Sequence, residues 1–149
     1  MTVLLFEDPR VTQLYPITVG KLAFTIHCGG FQLLEQVRAL DCPLAAYVRP
    51  HMRTLLETDY PEFKTANEIN SSGDLVLNAR IAPSLESKAE IARLWKLQTP
   101  GIVQQGDNIL AVKLAPEMPL PSGELDIGAV LRILDEMRLP RIESSLELL

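Results

Sequence analysis

The sequence predicts an α/β fold in which a mostly parallel sheet is flanked by helices and extended late in the chain by an antiparallel hairpin. Short apolar runs alternate with segments of helical spacing, which is the pattern of parallel strands joined by crossover helices. The chain has 149 residues, of which 47% are hydrophobic and 22% charged, and this suits one domain with a substantial core. We therefore expect residues 1–149 to form a single domain.

Three apolar runs in the first half of the chain are expected to be the parallel strands. They span residues 2–6, 44–48 and 75–77, and each is closed by polar or proline residues. Between them, helical spacing predicts a helix that begins at residue 31 and is ended by Pro43, and a short helix over 51–58. Residues 7–29 show no dominant period, so we expect a long loop there with a short strand near 23–26.

The second half predicts two more helices around a hairpin. Ser84 begins one helix, or Ser87 does as part of a capping box with Glu90. Residues 105–108 join two apolar runs and contain Gly and Asp/Asn, which is typical of a hairpin turn. A proline-rich link over 116–121 then leads to a last helix, which carries apolar residues from Ile127 to Met137 and is closed by Pro140.

Composition excludes several classes of function. The net charge of −5 argues against a nucleic-acid-binding protein that works by neutralising phosphates. We expect no membrane association, because the sequence has no long uninterrupted apolar stretch and no basic leader at its start. With two cysteines, a disulfide framework or a cysteine-based zinc site is not expected. These features together predict a cytoplasmic domain.

Polar side chains follow each of the three predicted parallel strands. In an open parallel sheet, the carboxyl ends of the strands line one crevice, which is the usual ligand site. Arginine and lysine there would suit a phosphate or carboxylate, and Asp8 could hold a divalent ion. Alternatively, these residues only end their strands and face solvent. The candidates at strand ends and in the following loop are Glu7, Asp8, Arg10, Thr18, Lys21, Arg49, Asn78 and Arg80.

Three segments of the chain together resemble a known enzyme family. Residues 14–18, Leu-Tyr-Pro-Ile-Thr, resemble the L-x-P-L-T segment of sugar-1-phosphate nucleotidyltransferases. Residues 29–35 resemble the G-K-P-L-L-E stretch that begins the first helix of those enzymes, and residues 76–80 fall where they have a strand ending in N-G-D. The resemblance covers nearly the whole chain and is specific as a set. It is greatest to a divergent branch related to the bifunctional N-acetylglucosamine-1-phosphate uridylyltransferase.

This resemblance implies a Rossmann-like nucleotide-diphospho-sugar transferase fold and a reaction between a nucleoside triphosphate and a sugar 1-phosphate, assisted by Mg²⁺. Members of this branch typically continue into a C-terminal β-helix. The apolar residues Leu146, Leu148 and Leu149 therefore suggest the N-terminal part of a longer protein, which would form homo-oligomers through that domain. The implied roles are catalysis for Arg10, Lys21 and Arg80, metal binding for Asp8, and substrate binding for Glu7, Thr12, Tyr15, Thr18, Arg49 and Asn78.

The sequence also departs from the family pattern at the implied phosphate site. The family's glycine-rich loop falls on residues 6–13, which contain no glycine, and Pro9 has no N–H to donate. Gln13 replaces the loop arginine, Ala23 falls on the family's downstream lysine, and Arg80 replaces a metal-binding aspartate. The alternative function is therefore a non-catalytic domain that binds a nucleotide or sugar phosphate, or a partner protein. A minor third hypothesis is a thiol enzyme that uses Cys28 beside His27.

Overall fold

The computed structural model describes residues 1–64, 74–118 and 127–149. In chain order, the described strands and helices are β1 (Val3–Phe6), β2 (His27–Cys28), β3 (Phe31–Gln32), α1 (Leu33–Arg38), β4 (Leu44–Tyr47), α2 (Arg53–Asp59), β5 (Phe63–Lys64), β6 (Leu75–Asn78), α3 (Leu85–Lys96), β7 (Gly101–Gln105), β8 (Asn108–Lys113) and α4 (Ile127–Glu136). None of the described helices is both long and apolar enough to cross a membrane.

The main sheet has six strands in the order β5-β4-β1-β6-β8-β7. Strand β1 pairs in parallel with both β4 and β6, and β4 pairs in parallel with β5. The chain moves outward from β1 on one side, through β4 to β5, and then returns to place β6 on the other side of β1. Strands β7 and β8 form an antiparallel hairpin that continues the sheet beyond β6. The predicted parallel sheet with a late hairpin is confirmed.

Two apolar cores lie on opposite faces of the sheet, because successive side chains of a strand point to opposite sides. Val3 and Leu5 of β1 face the core that includes Leu34 of α1 and Ile91 of α3. Leu4 and Phe6 of the same strand face the other core, to which α4 contributes Val130 and Leu134. The sheet is thus the middle layer of a three-layer sandwich.

Local hydrogen bonds explain where the structure differs from the predicted elements. The strand expected near 23–26 is wrong: Ala23–Thr25 forms a 3₁₀ turn, in which the Leu22 carbonyl accepts hydrogen bonds from the Thr25 N–H (3.0 Å) and hydroxyl (2.7 Å). Helix α1 is shorter than expected, because Phe31 and Gln32 pair with β2 instead and Asp41 adopts a left-handed φ of 50° after the helix.

The remaining helices follow the sequence more closely. Ser84, rather than Ser87, caps α3: its hydroxyl oxygen accepts the Ser87 N–H, while the Ser87 hydroxyl oxygen accepts the Ser84 N–H. A 3₁₀ turn over Pro50–Met52 precedes α2. The polar stretch over 62–73 and the proline-rich link over 116–121 lie partly outside the described residues.

The last ten residues run along β7 and back to the end of β6. The Ile102 N–H donates to the Pro140 carbonyl and the Ile142 N–H to the Ile102 carbonyl, both at 2.8 Å. Further on, the Leu149 N–H donates to the Arg80 carbonyl at 2.8 Å. Leu146 is buried and Leu148 packs against the first core, so these leucines are not the exposed apolar ending that the sequence suggested. Continuation into a further domain stays a prediction.

Candidate functional site

Two polar clusters lie at the carboxyl ends of β1 and β6, where the chain changes direction across the sheet. Glu7 and Asp8 follow β1 directly, and each accepts hydrogen bonds from a different arginine. Ligands bind at this position in open α/β sheets.

Glu7 is buried, and its carboxylate holds the loop over residues 18–23. It accepts hydrogen bonds from the Ala23 N–H (2.9 Å), from the Arg49 N–H (3.0 Å) and from Arg49 Nε (2.8 Å) and Nη2 (3.3 Å). Arg49 also donates to the carbonyls of Thr18 (3.1 Å) and Lys21 (2.7 Å). Glu7 and Arg49 thus fix residues 18–23 against the strand ends.

Asp8 is the centre of the second cluster, and both of its carboxylate oxygens are fully used. Oδ1 accepts hydrogen bonds from Arg80 Nε (2.9 Å) and from the Arg10 N–H (3.1 Å). Oδ2 accepts hydrogen bonds from Arg80 Nη2 (2.7 Å) and Asn78 Nδ2 (3.0 Å). Burial raises the pKa of the Asp8 carboxyl, but the hydrogen bonds from Arg80 and Asn78 outweigh it and hold that pKa below its ordinary value.

Local sequence explains how these side chains are positioned. Asp8 caps the 3₁₀ helix Pro9–Leu14, in which proline takes the first position because its missing N–H is not needed there. The Asn78 side chain bends the chain after β6, since its Oδ1 accepts the Arg80 N–H at 2.9 Å. Its Nδ2 also donates to the Ile109 carbonyl of β8 at 2.9 Å, which joins the site to the hairpin.

A cleft of about 620 Å³ opens beside Asp8, on the face of the sheet that α4 covers. Three exposed arginines line it: Arg10 from the first 3₁₀ helix, Arg132 from α4 and Arg141 from the C-terminal segment. Asn108 also lines the cleft, and its Oδ1 accepts hydrogen bonds from Arg10 Nη1 (2.9 Å) and Arg80 Nη2 (3.3 Å). The cleft is also lined by two exposed carboxylates, Asp107 and Asp135.

The structure brings some of the predicted site residues together and separates others. Asp8, Arg10, Asn78 and Arg80 meet in one cluster, while Glu7, Thr18 and Arg49 form the neighbouring one, to which Lys21 contributes its carbonyl. Two predicted substrate-binding residues lie elsewhere on the loop. The Thr12 hydroxyl donates to the Pro9 carbonyl at 3.2 Å, and the Tyr15 side chain is largely exposed.

Several residues of the cleft are not indicated by the sequence pattern. Asn108 fits the pattern of a hairpin turn, and Arg132 lies on the polar face of a helix that is predicted from its apolar face alone. Arg141 follows Pro140, in a segment for which no structure was expected. The available signal was the charge pattern on the polar face of the last helix, but the sequence does not show which face of the sheet that helix covers.

The residues described do not fit a bound Mg²⁺ at Asp8. Mg²⁺ is usually held by one or two carboxylates, and both oxygens of Asp8 are already saturated by donors, two of them from a guanidinium. Over residues 1–64, 74–118 and 127–149, no three His, Cys, Asp or Glu side chains are grouped closely enough to hold a metal.

The backbone after β1 offers no cradle of free N–H groups in place of the missing glycine loop. The Arg10 N–H donates to the Asp8 side chain, and the Val11 N–H donates to the Asp8 carbonyl at 3.0 Å. The first two donors of the 3₁₀ helix are thus used within the protein. The cationic groups that line the cleft are therefore side chains, those of Arg10, Arg132 and Arg141.

These features define a class of protein: an α/β domain with a polar cleft beside the carboxyl end of β1, the strand at which the strand order reverses. Comparison with known families matches residues 3–137 to the family described as Sugar nucleotidyl transferase. The chain belongs to this family, which confirms the resemblance drawn from its motifs and supports a nucleotidyltransferase-like function. No curated protein matches the chain.

Proposed function

We propose that this domain transfers a nucleotidyl group from a nucleoside triphosphate to a sugar 1-phosphate, with the phosphates held in the arginine-lined cleft. The observation that carries the proposal is the meeting of Arg10, Arg132 and Arg141 at one cleft in a chain of this family. A volume of about 620 Å³ is within the range of sites for ligands of this size. Guanidinium groups bind phosphate oxygens through paired N–H bonds.

In this reaction an oxygen of the sugar phosphate forms a bond to the α-phosphorus of the triphosphate, and the bond between the α-phosphorus and the bridging oxygen breaks. The electron pair leaves with pyrophosphate. Such transfers depend mainly on alignment of the two oxygens and on neutralisation of charge. The three arginines would supply both here. Contacts of Thr12, Tyr15 or Lys21 with the substrates stay predictions.

A second candidate function, binding without turnover, is favoured by one specific observation. The Asp8 carboxylate and the first N–H groups after β1 are all used inside the protein, so neither is free for a substrate. A domain that kept the arginine cleft but lost these groups would retain affinity for a nucleotide or sugar phosphate without the ability to transfer it.

Pyrophosphate release and binding together separate the two candidates. The full chain would be incubated with a panel of nucleoside triphosphates and sugar 1-phosphates, both with Mg²⁺ and with EDTA, and binding of each would be measured by calorimetry. Release above background supports transfer, and binding without release supports the second candidate. Neither binding nor release with any pair would refute both.

Arg132→Ala tests whether the cleft is the site, and Arg53→Ala is the matched control. Arg53 is an exposed arginine on α2, which packs on the opposite face of the sheet. Loss of a charge-assisted hydrogen bond of about 1.5–3 kcal/mol predicts at least about tenfold weaker binding or turnover for Arg132→Ala. An equal effect of the two substitutions would place the ligand elsewhere.

A cytoplasmic location and oligomers formed through a further domain stay predictions from the sequence.

A further inference from the structure

We infer that the Arg80 guanidinium occupies the cation position beside Asp8, so that the cleft takes a phosphate-bearing ligand without a divalent metal ion. The two side chains form a two-point ion pair in which Arg80 Nε bonds to one oxygen of Asp8 and Nη2 bonds to the other. Their side chains are only 5% and 8% exposed, so the pair is shielded from solvent on nearly all sides. This inference rests on the proposed function only in placing a phosphate in the cleft.

A metal ion would have to displace donors that nothing else in the site could satisfy. Arg80 and Asn78 both point N–H groups at Asp8, and the Asn108 Oδ1 is shared by Arg10 and Arg80. Every buried side-chain nitrogen and oxygen among the described residues has a hydrogen-bond partner. Pushing Arg80 aside would leave a buried guanidinium with its partners removed, which is strongly unfavourable. Mg²⁺ also gives up its water ligands reluctantly.

The ion pair also changes the charge that a ligand meets in the cleft. Without Arg80, the Asp8 carboxylate at the cleft wall would repel a phosphate. With Arg80 bound behind it, the two charges offset each other, and the exposed arginines act on the ligand directly. Arg80 does not line the cleft, so it is a positioning residue that acts through Asp8 and Asn108.

Paramagnetic broadening by Mn²⁺ tests the cation position directly in the unmodified full chain. Amide spectra would be recorded while MnCl₂ is added up to about 1 mM, the weak end of the range over which proteins bind divalent ions. We expect the N–H signals of Asn78, Ala79 and Arg80 to broaden no more than those of exposed α2. Selective broadening at these three residues would overturn the inference.

Arg80→Asp is the complementary variant, because it removes the cation and places a second carboxylate opposite Asp8. We expect this variant to acquire the broadening that the unmodified chain lacks, and Arg80→Asn, which adds no carboxylate, to acquire none. If neither variant folds, the result with the unmodified chain still decides between the two outcomes. A merely structural role for Arg80 would not predict a gain of metal binding.

Calorimetry with inorganic pyrophosphate then separates this inference from the proposed function. We expect binding in EDTA to be within about tenfold of binding in Mg²⁺, a difference below about 1.4 kcal/mol. Binding that is lost in EDTA would overturn the inference and leave the proposed function standing. If neither pyrophosphate nor the nucleotides bind in either condition, the cleft is not a phosphate site and the proposed function is refuted. The Mn²⁺ experiment would then still show whether Arg80 excludes a metal ion from the position beside Asp8.

Discussion

Removal of Arg49 should destabilise the fold more than removal of any exposed arginine. The Arg49 side chain donates four hydrogen bonds, two to the Glu7 carboxylate and one each to the carbonyls of Thr18 and Lys21. In Arg49→Met, the Glu7 carboxylate would remain buried and would accept hydrogen bonds only from the N–H groups of Ala23 and residue 49. The variant therefore buries a charge that has lost its partner.

The expected cost follows from the burial of this pair. The Glu7 side chain is 0% exposed and that of Arg49 is 15% exposed, so solvent screens the pair weakly. Breaking a buried ion pair costs about 3–5 kcal/mol, a large part of the 5–15 kcal/mol that typically holds a domain together. For a chain of this size, we expect a fall in Tm of about 6–20 °C.

Urea unfolding of a double-mutant cycle measures this effect. The cycle compares Arg49→Met, Glu7→Gln and the double variant, and we expect the double variant to lose about 1–3 kcal/mol less than the sum of the single variants. Arg38→Met is the control, because Arg38 pairs with Glu62 at the surface and should cost less than about 1 kcal/mol. A loss below 1 kcal/mol for Arg49→Met, or strict additivity, would refute the reasoning.

Three further predictions concern the C-terminal segment, the cap of α3 and the acid sensitivity of the site. In Gly101→Ala the new Cβ would lie 2.4 Å from two side-chain atoms of Ile142. We therefore expect the free energy of unfolding in urea to fall by about 1–3 kcal/mol. Gly30→Ala is the control and should leave it unchanged, because no atom lies within 4 Å of the Cβ there. Equal losses would contradict this packing. Ser84→Ala should cost about 1 kcal/mol by the same measurement, because the Ser87 N–H loses its acceptor, and an unchanged stability would show that the cap contributes nothing. Because the pKa of Asp8 is lower in the native than in the unfolded chain, the Asp8 carboxylate adds stability above its unfolded pKa, and this stability is lost as pH falls through the native pKa. Asp8→Asn should therefore lower the free energy of unfolding more near pH 7 than near pH 2.5. A larger loss near pH 2.5 would contradict the direction of the pKa shift.

The positions of the three central parallel strands along the chain were predictable, because each is a short apolar run closed by polar or proline residues. The runs at 2–6, 44–48 and 75–77 correspond to β1, β4 and β6, with each end within one residue. The two-residue strands β2 and β3 were not predictable, since a run of two residues carries no periodicity. Their pairing depends instead on the turn at Gly29, which has a φ of +61°.

The separation of Glu7 from Asp8 has a simple physical origin. Successive side chains along β1 alternate between the two faces of the sheet, and Glu7 and Asp8, which directly follow β1, continue this alternation into different clusters. The sequence could not identify their partners, because Arg49 is 42 residues from Glu7 and Arg80 is 72 residues from Asp8. Such pairs form only once the sheet has brought separate strand ends together.

Pairing of the C-terminal segment with β7 has a consequence for the behaviour of the protein in solution. The outer edge of β7 would otherwise offer free N–H and C=O groups to another chain, and Ile102 uses both of its groups on Pro140 and Ile142. Loss of the segment from Pro140 onward would free the N–H and C=O groups of Ile102 and open this edge of the sheet to pairing with another chain.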